Sequence, residues 1–234
     1  MDADADTGLD ALLVCLQLTD SAFPSGFYTL SHGLEGYAQA GAVTPDTLPE
    51  LLADLLRHGV GPSDATALAL AHRAASAGDR ERLVEIDRRL LATKLNRELR
   101  LAATRTGRQL LDIAGESIGG EALERYAEMV AGRRAPGCQA VVAGVVHAAA
   151  GVPVEQAVTG DVFAFCSSFV GAALRLRLTD HRRAQVVLRA TAPVIREVVA
   201  AALEREPADL GGCVPVADVM SGRHERAEAR LFMS

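Results

Sequence analysis

At 234 residues the chain is long enough to bury a sizeable core in one domain or two. Hydrophobic residues make up 49% and aromatics 4%, with no Trp, an aliphatic balance that favours helices over sheets. The formal net charge of −6 argues against the basic face that a nucleic-acid binder needs, so no nucleic acid is expected as a partner.

The first six residues, Met-Asp-Ala-Asp-Ala-Asp, are acidic where a secretory signal would be basic. No apolar run approaches the roughly 18 residues of a membrane span: Val141 to Ala150 is short, and Thr159 and Asp161 interrupt the next. The expectation is a soluble, cytoplasmic protein with no membrane partner. Leu9, Leu12, Leu13 and Leu16 recur at helical spacing from Leu9 to Leu18, with Thr7 as cap. The stretch from Asp20 to Glu35 then organises the chain. Pro24 ends the preceding helix, and Gly26 and Gly33 permit backbone conformations that a Cβ forbids. Phe23, Phe27 and Tyr28 are costly to leave in water, so the loop seats on its own core or on a partner. A fully buried Tyr28 ring would be worth about 3–5 kcal/mol against Ala.

A short helix follows from Ser31 to Ala40, ended by Gly41. Thr44-Pro45 opens another that runs to Val60, with Gly59, Gly61 and Pro62 as its stop. Ser63 or Asp64 caps a helix to Ala77, and Asp79 starts one that reaches Thr93. Amphipathic spacing continues from Leu95 to Ala114, Glu121 to Val130 is a shorter helix, and Pro136-Gly137 is a turn. Cys138 to Ala150 is apolar nearly all round and reads as the buried central helix. Pro153 opens a helix to Leu178, and Asp180 to Glu206 forms the last long one, kinked at Pro193. No segment alternates with period two. The fold class is therefore all-α, a single-domain bundle of about ten helices over residues 1–206. Residues 207–234 differ: Pro207, Gly211-Gly212 and Pro215 break structure and Arg223 to Arg230 is strongly charged, the pattern of a C-terminal partner-binding tail that orders on a partner, with Leu231 and Phe232 entering a pocket there or on the protein's own body. Removing Ala227 to Ser234 should then cost little stability. Cys15, Cys138, Cys166 and Cys213 form no C-x-x-C, and the first three stand in apolar surroundings as small hydrophobes.

Catalytic chemistry finds little support. The chain's one lysine, Lys94, has no glycine-rich loop before it, so a P-loop is excluded. Ser31 has neither the first glycine nor the strand of a nucleophile elbow, and reads as a helix N-cap. His32 and Glu35 at i, i+3 could share a helix face, but a metal site needs three or four ligands, and no metal or other cofactor is assigned. Arg105 and Arg108 lie three apart on one helix face, with Gly107 between them inviting close packing. Locally the reading is a solvated face paired with Glu98.

Three separated stretches resemble signatures of the urease accessory protein UreF family. The first is Leu16-Gln17-Leu18, Pro24, Gly26, Tyr28, Ser31, Gly33-Leu34-Glu35, Gly41 and Val43. The second is Arg105-x-Gly107-Arg108-x-Leu110. The third is Ser221-x-x-His224-Glu225 followed by Arg230-Leu231-Phe232-x-Ser234. Thr179-Asp180-His181-Arg182 departs from the family pattern, as do Phe27 and Leu30. The resemblance implies an all-helical, non-enzymatic homodimer. It would bridge a UreD/UreH-like accessory protein and a UreG-like GTPase for GTP-dependent nickel insertion into apo-urease. The candidate partner-binding residues are Pro24, Gly26, Tyr28, Ser31, His32, Gly33, Leu34, Glu35, Arg105, Gly107, Arg108, His224, Glu225, Arg230, Leu231 and Phe232. Two other classes stay open: a helical metalloenzyme or hydrolase with a site near His32 and Glu35, and a helical small-ligand-binding regulator.

Overall fold

The helix that is apolar on every side is the one at the centre. α8 (Gln139–Ala149) buries every residue from Gln139 to His147. The computed structural model describes the backbone of residues 3–233 and side chains from residue 8 onward, so Met1, Asp2 and the closing Ser234 of the third signature lie outside the described residues. Around α8 stand α4 (Thr66–Ser76), α5 (Arg80–Thr93), α6 (Arg97–Ser117), α7 (Glu121–Ala131) and α9 (Val154–Arg175). Glycine sets the two tightest approaches. A Cβ at Gly144 would stand 2.6 Å from Leu68 O, which brings α8 onto α4. One at Gly107 would stand 2.7 Å from Gln139 N, which brings α6 onto the start of α8. The expectation of close packing at Gly107 is met. The fold is all-α, a single bundle with no strand among the described residues.

α10 (His181–Glu204) runs through Pro193 as one helix and packs on α9. Its cap is Asp180, whose carboxylate accepts from the backbone N–H of Arg182 and Arg183. Asp79 caps α5 in the same way through Arg82 N. α1 (Ala3–Thr19) begins four residues before Thr7, so Thr7 is inside the helix and is not its cap. α2 (Leu34–Gln39) starts later than expected, because His32 and Gly33 take left-handed φ of 55° and 84°. α3 (Leu48–Asp54) also starts late: Thr44 and Thr47 bond each other's backbone N–H in a closed turn before it.

The expected stop at Gly59, Gly61 and Pro62 is not a stop. Residues Leu55–Ala65 form a π-helical segment that carries α3 directly into α4. The wider winding tolerates Pro62, and side chains supply extra bonds, Ser63 Oγ to Gly59 O at 2.6 Å and Thr66 Oγ1 to Gly61 O at 2.8 Å. The long helix expected from Pro153 is present as α9, but the expectation that Thr159 and Asp161 keep its apolar run short of a membrane span is corrected. Over its most apolar 18 residues α9 has a mean hydropathy of 1.5, enough by length and composition alone to cross a membrane, although it packs on α4, α8 and α10.

Asp87, on α5, ties the turn before α8 to the core. Its fully buried carboxylate accepts from Tyr126 OH (2.7 Å), Gly137 N (2.7 Å) and Cys138 N (2.9 Å). Three donors satisfy a charge that would otherwise be prohibitive there. Cys15, Cys138 and Cys166 are buried and Cys213 is exposed.

Candidate functional site

The C-terminal segment is seated on the body. After a 3₁₀ turn (Pro207–Asp209), Gly211 N and Cys213 N donate to Pro62 O and His58 O of the π-helical segment. α11 (Pro215–His224) then packs on α2 and on the start of α6. A Cβ at Gly36 would stand 2.5 Å from Met220 O, so glycine sets the α2–α11 distance. The expectation that removing Ala227 to Ser234 costs little stability is corrected here: Phe232 is 4% exposed and the segment makes bonds to buried groups of the body.

Those bonds centre on Glu35. Its Oε1 accepts from Leu231 N at 2.8 Å, and its Oε2 accepts from Phe232 N at 3.0 Å and faces His224 Nε2 at 2.8 Å. The other nitrogen of His224, Nδ1, lies 3.0 Å from Glu98 Oε2, and Glu98 Oε1 accepts from Arg230 Nη1 at 3.1 Å. His224 is fully buried, and Glu35 and Glu98 are nearly so. Both of its ring nitrogens face carboxylate oxygens, so the ring ties the two carboxylates together. With Arg230 on Glu98 and two backbone N–H groups on Glu35, each buried carboxylate is held by several partners. Asn96 adds a further tie. Its side chain caps α6 through Leu99 N and donates to Ser221 Oγ at 2.9 Å.

Beside this network the Arg175 guanidinium lies between two rings, 4.1 Å from the Tyr28 centroid and 4.2 Å from that of Phe232. Its Nη1 also donates to Tyr28 O at 2.6 Å. Met233 N donates to Thr29 O, and Arg105 Nη1 reaches Met233 Sδ. One end of the molecule thus joins all three signatures: Tyr28 and Glu35 from the first, Arg105 from the second, His224 to Phe232 from the third.

The remaining candidates fall into place less evenly. Ser31 is buried, and its hydroxyl accepts from Glu35 N at 3.3 Å, although the N-cap position of α2 itself is Gly33. Gly26 has φ +88° and a Cβ there would meet Gln109 Oε1 at 3.1 Å. Leu34 is core, whereas Pro24 is exposed and Glu225 half-buried. Arg108 is exposed and lies 3.5 Å from Pro136 O. Of the two seats left open for Tyr28, the body's own core is not the one it takes: the residue is 67% exposed, with Arg175 against one face of its ring. His32 and Glu35 do not share a helix face, because His32 precedes α2. His32 Nε2 lies 2.9 Å from Ser168 Oγ, which itself donates to Phe27 O, while Glu35 faces His224. Burial pushes His32 down to about 4. Among the described residues no group of three or more His, Cys, Asp or Glu could hold a metal ion.

Sequence reasoning misses Asn96 and Gln39, whose Nε2 donates to Ala229 O at 3.1 Å, and gives Glu98 a different partner. Glu98 reads there as an intrahelical partner of neighbouring arginines, and nothing in its spacing points to a histidine 126 residues away. Beside α11 lies a cavity of about 200 Å³ with a mostly apolar lining. Lys94 is among its lining residues and pairs through Nζ with both oxygens of Asp64 at 2.7 and 2.6 Å. Asp161, held by Gln139 Nε2 at 2.7 Å, lines the same cavity and is pushed up to about 6 by burial.

A family model for UreF matches residues 42–225. A urease accessory protein UreF 2 of Brucella canis is 33% identical over 231 residues, covering 97% of this chain and 93% of the relative. The UreF of Kocuria rhizophila is 34% identical over 235 residues, covering 98% and 99%. That of Rhodopseudomonas palustris is 36% identical over 214 residues, covering 91% and 88%. With a family match over most of its length and relatives this similar end to end, the chain belongs to the UreF family of urease accessory proteins.

Proposed function

We propose that this chain is a non-catalytic adaptor of urease maturation. It would bridge a UreD/UreH-like protein and a UreG-like GTPase while nickel is inserted into apo-urease in a GTP-dependent step, and it would work in the cytoplasm as a homodimer. The observation that carries the reading is the convergence of the three signature stretches on the seated C-terminal segment. There, Tyr28, Leu231 and Met233 are exposed apolar groups beside Arg105 and Arg230, the mixture of aromatic, aliphatic and arginine side chains typical of interface anchors. The buried network fixes their positions before a partner arrives, which lowers the ordering cost of binding.

The test is co-purification with co-expressed UreD-like and UreG-like proteins. Leu231→Asp and Arg105→Glu change exposed side chains, so both variants should keep wild-type helicity while capture of the UreD-like protein falls at least about tenfold. Capture undiminished in both variants would remove this surface from the reading. No association of the wild-type chain with either protein would remove the reading itself.

A further inference from the structure

The cavity beside α11 carries charge that its own lining does not balance. Asp64, Lys94, Asp161 and Asp218 line it together with His32. Lys94 and Asp64 cancel one another through their ion pair. Asp161, on α9, has Oδ1 held by Gln139, and among the described residues no donor stands on its Oδ2. Asp218, on α11, has no hydrogen bond or ion pair on its carboxylate among the described residues. His32 adds no positive charge, because burial holds it near 4. Two carboxylates are thus left with no lining cation to match them. Burial pushes both carboxyls upward, Asp161 to about 6, as happens to a charge held from water without enough compensation.

The walls suit a ligand with an apolar body. Phe27, Leu30, Val60, Phe165 and Val214 supply aromatic and aliphatic surface. The backbone departs from regular geometry at two places along them. The π-helical Leu55–Ala65 contributes Gly59, Val60, Ser63 and Asp64, and such winding is frequent at functional sites. His32 holds a left-handed φ of 55° without being glycine, the kind of strain that clusters at ligand clamps. A metal ion is a poor match for this lining. Among the described residues no three His, Cys, Asp or Glu gather to ligate one, and aliphatic walls offer it nothing.

We infer that this cavity binds a short aliphatic diamine, with one ammonium group on Asp161, the other on Asp218, and the methylenes along the apolar walls. Two ammonium charges cancel the two unmatched carboxylates, and the N–H···O contacts made there are charge-assisted, the stronger kind. A volume of about 200 Å³ is below the roughly 300–1,000 Å³ of drug-sized sites, which sets the ligand at the scale of a few carbons. The two carboxylates sit on different elements, so a bound diamine would also tie α11 to α9. The inference goes beyond the adaptor reading and does not rest on it.

The experiment is isothermal titration calorimetry of diaminobutane into the purified full chain at neutral pH, with circular dichroism as the check on folding. Wild type should take up one equivalent. Asp161→Asn and Asp218→Asn should each keep their helicity and bind at least about tenfold more weakly, since each loses one charge-assisted contact. Butanediol, of the same chain length but uncharged, should give no saturable heat. If Asp161→Asn fails to fold, Asp218→Asn decides in its place, because its carboxylate supports no bond within the described protein. A wild-type chain with no saturable uptake overturns the inference, as does an affinity unchanged in both variants. Butanediol bound as well as the diamine would leave an apolar pocket without charge recognition and overturn it too. Nickel alone or magnesium alone, taken up at one equivalent and excluding the diamine, would give the cavity to a metal ion and overturn it as well. None of these results bears on the bridging reading, which is measured with the Leu231 and Arg105 variants and the partners present.

Discussion

Replacing Glu35 by alanine should detach the C-terminal segment and lower the stability of the whole chain. The carboxylate accepts from two backbone N–H groups and contacts the His224 ring, all at 2.8–3.0 Å and all buried or partly buried. Hydrogen bonds to a charged group are worth about 1.5–3 kcal/mol each. The sum is an upper bound, because a freed segment regains water. The more realistic figure is the cost of breaking one member of a buried charge network, about 3–5 kcal/mol. For a chain of this size that corresponds to a fall in Tm of about 10 °C. Calorimetry measures the fall, and amide hydrogen exchange at Leu231 and Phe232 measures the detachment. Glu35→Gln keeps the shape but cannot accept in the same way on its amide nitrogen, so it should lie between wild type and alanine. An Ala variant that melts within about 1 °C of wild type, with those two amides still protected, would refute the assignment of Glu35 as the anchor.

Gly107→Ala should cost about 1–3 kcal/mol or more, read as a lower urea midpoint, since the new Cβ would press on the backbone at Gln139 with no flexible side chain to yield. Tyr28→Ala should cost about 1 kcal/mol or less by the same measurement, because the half-open ring offers a face to Arg175 and little buried area. Gly33→Val should cost more than Tyr28→Ala, about 1–3 kcal/mol, through backbone strain alone: φ is +84° and no atom stands within 4 Å of the new Cβ. Stability should also fall as pH drops from 6.5 to 4. Burial holds His147, whose Nε2 has no partner, and His32 near 4, so the unfolded chain binds protons at these positions first and their stabilisation is present above 6.5 and lost across that window. Asp161, raised to about 6, works the other way, taking its proton in the folded state first. The balance is about one proton, a slope near 1.4 kcal/mol per pH unit, and a Tm that stays flat from pH 7 to 4 would contradict it.

Local chemistry determined a good part of this molecule. Ala, Leu and Arg at helical spacing, with Asp79 and Asp180 before their helices, dictate an all-α chain and place those starts where the structure has them. The run from Cys138 to Ala150 declares itself central because no face of it is polar. Gly107 announces a close approach, since a helix interior tolerates glycine only at a cost. Where tertiary contacts compete with local signals, reading the sequence fails. Gly59, Gly61 and Pro62 read as a stop, yet the chain widens into a π-helical segment because packing on α10 and side-chain bonds replace what the proline removes. Tyr28 reads as a ring that the body or a partner must cover, and the choice between them stays open because size is visible in a sequence and exposure is not. The pairing of Glu35 with His224 and of His224 with Glu98 joins residues 189 and 126 positions apart. Such a set forms only when three segments meet, because each charge can be buried only by the others. Their separate motifs were legible in the chain; that they close on one another was decided by the fold.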